Sequence, residues 1–169
     1  MKDIRIGLDI DEVIADFWGS YCAEFKTDKF PNRLEGHYIT KMCQQKLRTN
    51  REFWLGLPLL RKPDFKPTLY CTKRVSSKEW TKRYLFEKHN LPKAPIYQMY
   101  YQHGNKADMI KGKVDLFIDD SISNVIKMTE SGMNVLLMDT SGNRNIDLPR
   151  VKSLKLDHIL EIAKKYEMI

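Results

Sequence analysis

The stretch "IRIGLDIDEVIADFW", residues 4–18, sets Asp9 and Asp11 at the end of an apolar run, and this limits the fold and chemistry more than any other feature. Ile4, Ile6 and Leu8 alternate with other residues, which predicts a first strand over residues 4–9. Val13, Ile14 and Ala15 then resume apolar sequence. Two carboxylates so close repel each other, and an apolar setting strengthens the repulsion. Either the strand has ended and both acids face water, or a cation and a phosphate sit between them.

The rest of the chain supplies further strand ends of the same kind. Residues 13–25 are expected to form a helix, with Phe17, Tyr21 and Phe25 as its apolar stripe. Residues 26–67 are irregular and punctuated by Pro58, Pro63 and Pro67. We expect a largely helical insertion over residues 17–67, seated above the end of the first strand. "TLYC" at 68–71 predicts a second strand, with Thr72 at its end. Ser76 and Glu79 stand at capping-box spacing before an amphipathic helix, "WTKRYLFEKH". Residues 96–101 predict a third strand. Gly104, Asn105 and Lys106 turn into a short helix. "VDLFIDD" predicts a fourth strand over 114–118, with Asp119 and Asp120 at its edge. Ser121 or Ser123 can cap the next helix, and Gly132 suits its C-terminal stop. A fifth strand is expected over 134–139 and a last helix over 156–166.

Strands that alternate with helices predict a doubly wound, Rossmann-like α/β fold around a parallel sheet, with the small helical cap inserted between its first two strands. Residues 1–16 and 68–169 form the core in this reading, and 17–67 the cap. Ligands of such sheets bind beyond the carboxyl ends of the strands. Asp9, Asp11, Thr72, the turn at 104–106, Asp119 and Asp120 would then share one edge.

Composition narrows the partners. No run of 18 apolar residues occurs, so no membrane span is expected. The opening "MKDIRIGLDI" has no apolar signal core, and the three cysteines have no zinc or redox spacing. A reduced, cytoplasmic setting is expected. Cys71 reads as a core residue. The net charge is +7, and residues 26–66 hold ten Lys or Arg against four acids. Such a segment suits phosphorylated metabolites or nucleic acid, or it is a solvated lysine-rich surface. The four histidines show no ligand spacing, although His103 can line the mouth of the site.

Acid clusters that converge need a countercharge, and hard oxygen donors beside a phosphate suit Mg²⁺. Lys106 adds a positive charge and Thr72 a hydroxyl donor for phosphate oxygens. An Asp beside the cation can attack phosphorus and form an aspartyl phosphate. A second Asp two residues on can protonate the leaving oxygen and then deprotonate water.

On these residues the chain resembles the haloacid dehalogenase superfamily of phosphohydrolases. "GLDIDEVIADF" resembles its first motif, "TLYCT" its second, Lys106 in "GNKADMI" its third and "VDLFIDD" its fourth, in the family's order. The resemblance implies a Mg²⁺-dependent α/β enzyme that forms an aspartyl phosphate. It implies Asp9 as nucleophile and metal ligand, and Asp11 as general acid/base and backbone-carbonyl ligand. Thr72 and Lys106 would hold the phosphoryl group. Asp119 would be the remaining metal ligand, with Asp120 in support. "DIDEVIADF" is nearest to the 5′(3′)-deoxyribonucleotidases, which also carry a small helical cap there. That likeness implies a small phosphorylated substrate, a (deoxy)nucleoside monophosphate, with Phe17, Trp18, Tyr38 and Trp54 either stacking on the base or packing within the cap.

Three departures from that likeness stand out: a chain somewhat short for it, Glu12 in place of glycine, and Lys73–Arg74 after Thr72. Glu12 would bring a negative side chain near the phosphate. Lys73 and Arg74 would bind a second phosphate or a nucleic-acid backbone, or else be exposed turn residues. The alternatives are a 3′-phosphatase on nucleic-acid ends, a phosphatase for another small ester, a signalling receiver domain and an inactive binding module. A receiver domain has its acids, Thr and Lys in a different order, and the intact acids argue against decay. Homodimer formation is left open.

Overall fold

The structure, a computed structural model, describes residues 3–27, 41–100 and 104–169. Six strands form one sheet: β1 (Ile6–Leu8), β2 (Leu69–Lys73), β3 (Ile96–Met99), β4 (Leu116–Asp119), β5 (Val135–Met138) and β6 (Arg150–Val151). The spatial order is β3-β2-β1-β4-β5-β6, and every neighbouring pair is parallel. The chain winds outward from β1 to β3, then returns to place β4 on the other side of β1. The order therefore reverses between β1 and β4, where a doubly wound sheet opens a crevice at its carboxyl end.

Every residue of β1, β4 and β5 is buried, as strands covered on both faces require. Gly7 lets the sheet close at its centre. A Cβ there would meet Phe117 Cδ2 at 2.8 Å and Val114 Cγ1 at 3.0 Å. Helices α5 (Lys106–Ile110) and α6 (Ile122–Glu130) cover one face through Ile110, Ile122, Val125 and Met128. The other face carries α4 (Lys78–Lys82), its π-helical continuation Arg83–Lys88, and α7 (Leu156–Lys165).

The insertion contributes α1 (Phe17–Phe25), α2 (Lys41–Thr49) and α3 (Arg51–Gly56). Its buried Phe17, Trp18, Leu47, Phe53 and Trp54 belong to the same apolar cluster as Leu8, Ile10, Ile14, Tyr70 and Tyr84. Phe17 stacks on Trp54 at 5.6 Å between ring centres. Each such side chain contributes about 1.5–3 kcal/mol by leaving water. The insertion thus shares the core beneath it. Among the described residues no helix is long and apolar enough to cross a membrane.

Four local expectations change. The helix expected from residue 13 begins at Phe17. Residues 10–15 form a tight buried turn instead, in which Ile14 N and Ala15 N donate to Ile10 O at 2.8 and 2.9 Å. Asp16 then caps α1 by accepting from Gly19 N. Ser77, not Ser76, caps α4 through Trp80 N. The helix after it is α-helical for only five residues before it widens to π. Strand β6 was not foreseen, because two residues carry no readable period.

The widened turn has a consequence for acid stability. The His89 ring lies edge-on to Tyr84 at 4.6 Å, and its buried Nε2 has no hydrogen-bond partner among the described residues. Burial lowers the affinity of His89 for a proton, the charges of Lys88 and Lys62 lower it further, and a hydrogen bond with the Leu57 backbone opposes them. A depressed folded-state value means that the stabilising contribution is present above the unfolded value near 6.5. It is lost as pH falls through the folded one. Urea unfolding of the parent is expected to weaken from pH 7.5 to 5.5, and His89→Phe to show a shallower acid limb. Equal slopes would reject this role.

Candidate active site

The carboxyl ends of β1 and β4 bring three buried acids together. Asp9 follows β1, and its backbone N–H extends the ladder to Ile118 O at 2.9 Å. Asp119 ends β4, and Asp120 follows it. One carboxylate oxygen from each of Asp9, Asp119 and Asp120 lies within 4.8 Å of the others. The Asp120 carbonyl accepts from buried Asn143 Nδ2 at 3.0 Å, which also donates to Met138 O and so ties this loop to β5.

Lys106 joins the first two acids. It enters from the first turn of α5, which Asn105 caps. Its Nζ lies 2.6 Å from Asp9 Oδ2 and 2.7 Å from Asp119 Oδ2, with 1 % of the residue exposed. Burial opposes the ammonium's charge, but the pull of Asp119 and Asp9 outweighs it and raises its pKa. The remaining oxygens are also directed: Asp9 Oδ1 accepts from Ile10 N at 2.7 Å, and Asp119 Oδ1 from Ser121 N at 2.9 Å. Asp9 itself is pushed up to about 7, chiefly by burial. Lys106 draws it back, while Asp119 and Asp11 push it further up. Three carboxylates around one ammonium leave excess negative charge, and an all-oxygen donor set of this kind fits a hard divalent cation.

Strand β2 sorts its end residues by parity, because successive side chains leave opposite faces. Thr72 and Arg74 turn toward Asp11. The Thr72 hydroxyl stands 3.4 Å from Asp11 Oδ2, and Arg74 forms an ion pair with Asp11 at 2.6 Å. Lys73 turns the other way and donates to Asn124 Oδ1 at 3.1 Å. Burial lowers the Lys73 pKa, and the nearby charge of Lys106 adds to the effect.

This geometry revises several expectations. Arg74 is neither an exposed turn residue nor open to a second phosphate; it has no exposed surface. Strand parity was the available signal, since residues 72 and 74 must share a face. Asn124 was missed. It comes from the first turn of α6, and its Nδ2 lies 3.3 Å from both oxygens of Asp119. The Asp11 carboxylate lies outside the acidic triad, so any share it takes in holding a cation falls to its backbone carbonyl. Phe17 and Trp18, candidates for substrate contact or for packing within the cap, are 1 % and 3 % exposed, and Trp54 is 1 % exposed, which agrees with packing. Phe17 packs against both Trp18 and Trp54, at 5.0 and 5.6 Å between ring centres, so these rings are not presented to a base. Tyr38 and His103 lie outside the described residues. The Cys71 thiol is buried, and burial pushes it up to about 12.

Glu12 does not face a phosphate either. Its backbone is left-handed, with φ of 61°, and its Oε1 accepts from Trp18 N at 2.7 Å. Its carbonyl accepts from Arg61 Nη1 at 2.9 Å. The negative charge thus goes to the first turn of α1. No protein-family model matches this chain, and no curated protein matches it.

Two measurements follow. Mg²⁺ at about 100 times its dissociation constant stabilises a folded binder by about 2.7 kcal/mol. For a chain of this size the expected rise in Tm is roughly 5–10 °C, reversed by EDTA. Asp119→Asn and Asp120→Asn should lose that rise. No rise in the parent would reject the cation site. Separately, Glu12→Ala removes a buried acceptor and should cost about 1–3 kcal/mol in urea unfolding. Glu12→Gly, freed of left-handed strain, should be about 1 kcal/mol milder.

Proposed function

We propose that this chain is a Mg²⁺-dependent phosphomonoesterase that works through an aspartyl phosphate on Asp9, with (deoxy)nucleoside monophosphates as substrates. The observation that carries the reading is Lys106, bound at once to Asp9 and Asp119 at the crevice where the sheet order reverses. Asp9, Asp119 and Asp120, with the Asp11 carbonyl, would hold Mg²⁺. When bound, the ion neutralises phosphate charge and favours the ionised form of Asp9.

The side chains divide the work. An oxygen of ionised Asp9 forms a bond to phosphorus as the bond to the ester oxygen breaks. Asp11 gives its proton to that oxygen, which leaves as an alcohol. A water oxygen then attacks phosphorus and its proton passes to Asp11. The Asp9–phosphorus bond breaks, phosphate departs and both acids are restored. Lys106 and the Thr72 hydroxyl support the transferring oxygens. Asn124 steadies Asp119 and Lys73 beside them. A location in the cytoplasm accords with Cys22, Cys43 and Cys71, which no disulfide links.

A second reading, a phosphatase on nucleic-acid 3′ ends, draws on the exposed Lys46, Arg48, Arg51, Lys62 and Lys66. The buried aromatics also weaken the case for a stacked free nucleoside. One panel separates the two. Phosphate release is measured from p-nitrophenyl phosphate, nucleoside 5′- and 3′-monophosphates and a 3′-phosphorylated oligonucleotide, with Mg²⁺ and with EDTA. The expected result is Mg²⁺-dependent hydrolysis of monophosphates, and a loss of at least about 1,000-fold in Asp9→Asn. Hydrolysis of the oligonucleotide alone, faster at low salt, supports the second reading. An Asp9→Asn variant equal to the parent overturns both.

A further inference from the structure

Arg74 is among the largest side chains fully enclosed by the protein. One edge of its guanidinium faces Asp11. Nε lies 3.1 and 2.9 Å from the two carboxylate oxygens, and Nη2 lies 2.6 Å from Oδ1. Its carbon is 5.2 Å from the centre of the Trp54 ring and 5.7 Å from that of Tyr84. Both rings are themselves anchored. The Trp54 indole N–H donates to Leu47 O at 2.7 Å, and the Tyr84 hydroxyl to Pro58 O at 3.2 Å. Among the described residues no acceptor meets the other amino group, Nη1, which is buried.

That last fact weighs against a purely structural role. An enclosed guanidinium with one unsatisfied arm is a poor way to fill space, because an apolar side chain of similar volume avoids the desolvation. What an apolar side chain cannot supply is the fork on Asp11. Resting on the phosphatase reading, the geometry points to Arg74 as the positioning residue for Asp11. Its fork spans both oxygens, Nη2 on Oδ1 and Nε nearer Oδ2, and so fixes the plane of the carboxylate; Oδ2, held at the longer distance and 3.4 Å from the Thr72 hydroxyl, is the oxygen that exchanges a proton with the leaving group. The insertion acts on the reaction through this chain of contacts, Trp54 to Arg74 to Asp11. Its aromatic residues orient the acid instead of stacking on substrate.

Leaving-group dependence tests this, because an acid matters only where the departing oxygen needs a proton. p-Nitrophenyl phosphate releases a stable phenolate, whereas 4-nitrobenzyl phosphate, of similar size, releases an alkoxide. First-turnover rates are measured on both for the parent, Arg74→Lys, Arg74→Met and Trp54→Leu, with Mg²⁺. Arg74→Lys and Arg74→Met are expected to lose about 100-fold more rate on the benzyl ester than on the phenyl ester. Arg74→Lys should fail to rescue, since it keeps the charge and loses the fork. Trp54→Leu removes one of the two rings beside the guanidinium and should shift the ratio in the same direction by about 5-fold. If the Met variant does not fold, the Lys and Trp54 variants carry the test. Equal losses on both esters, in variants with the parent's circular dichroism, overturn the role of Arg74. A parent that hydrolyses neither ester overturns the phosphatase reading, and the role of Arg74 with it.

Discussion

The ammonium of Lys106, enclosed between Asp9 and Asp119, is the contact on which the rest of the site depends. Three buried acids without it would repel strongly in a medium of low polarity. With it, β1 and β4 can both end in aspartate at the centre of the sheet. The fold supplies the lysine from α5, on the face that Phe117 and Ile110 also occupy. Burial of the acids and of the lysine is thus one arrangement. Each is tolerable only because the other is present.

The acid pair of the opening motif resolves differently. Asp9 and Asp11 are close in sequence but answer to different cations, Lys106 and Arg74. The tight turn at Ile10 sends them apart, and the left-handed backbone at Glu12 completes the reversal. A pattern that reads as repulsion along the chain becomes two separately neutralised carboxylates in space. In the reaction proposed above, that separation would let one acid bond to phosphorus while the other handles a proton.

Much of this was legible because parallel strands are buried on both faces. Apolar runs such as "DLFID" stand out, and the first polar residue after each marks the sheet's carboxyl edge. Asp9, Thr72, Lys106 and Asp119 could therefore be placed from sequence. Arg74 and Asn124 could not be placed with equal ease. A charged residue after a strand reads by default as solvent-exposed, and only side-chain parity with Thr72 argues otherwise. The aromatic residues left two readings open. Phe17, Trp18 and Trp54 have the chemistry of a stacking platform, but they are buried in the cluster shared with the sheet. The early start assigned to the first helix has a similar cause, since Val13, Ile14 and Ala15 are apolar for burial in a turn, not for a helical stripe.

The apolar cluster common to the insertion and the sheet bears on how the molecule folds. Trp54, Phe17 and Leu57 close the same face that Leu8 and Tyr70 line from below. Excision of the insertion would expose that face to water and take away one wall around Arg74. The two parts therefore share one apolar cluster, and α3 supplies the Trp54 wall beside Arg74. Asp11 thus answers to the inserted helices through Arg74 and Trp54, whereas Asp9 and Asp119 are held from α5 by Lys106.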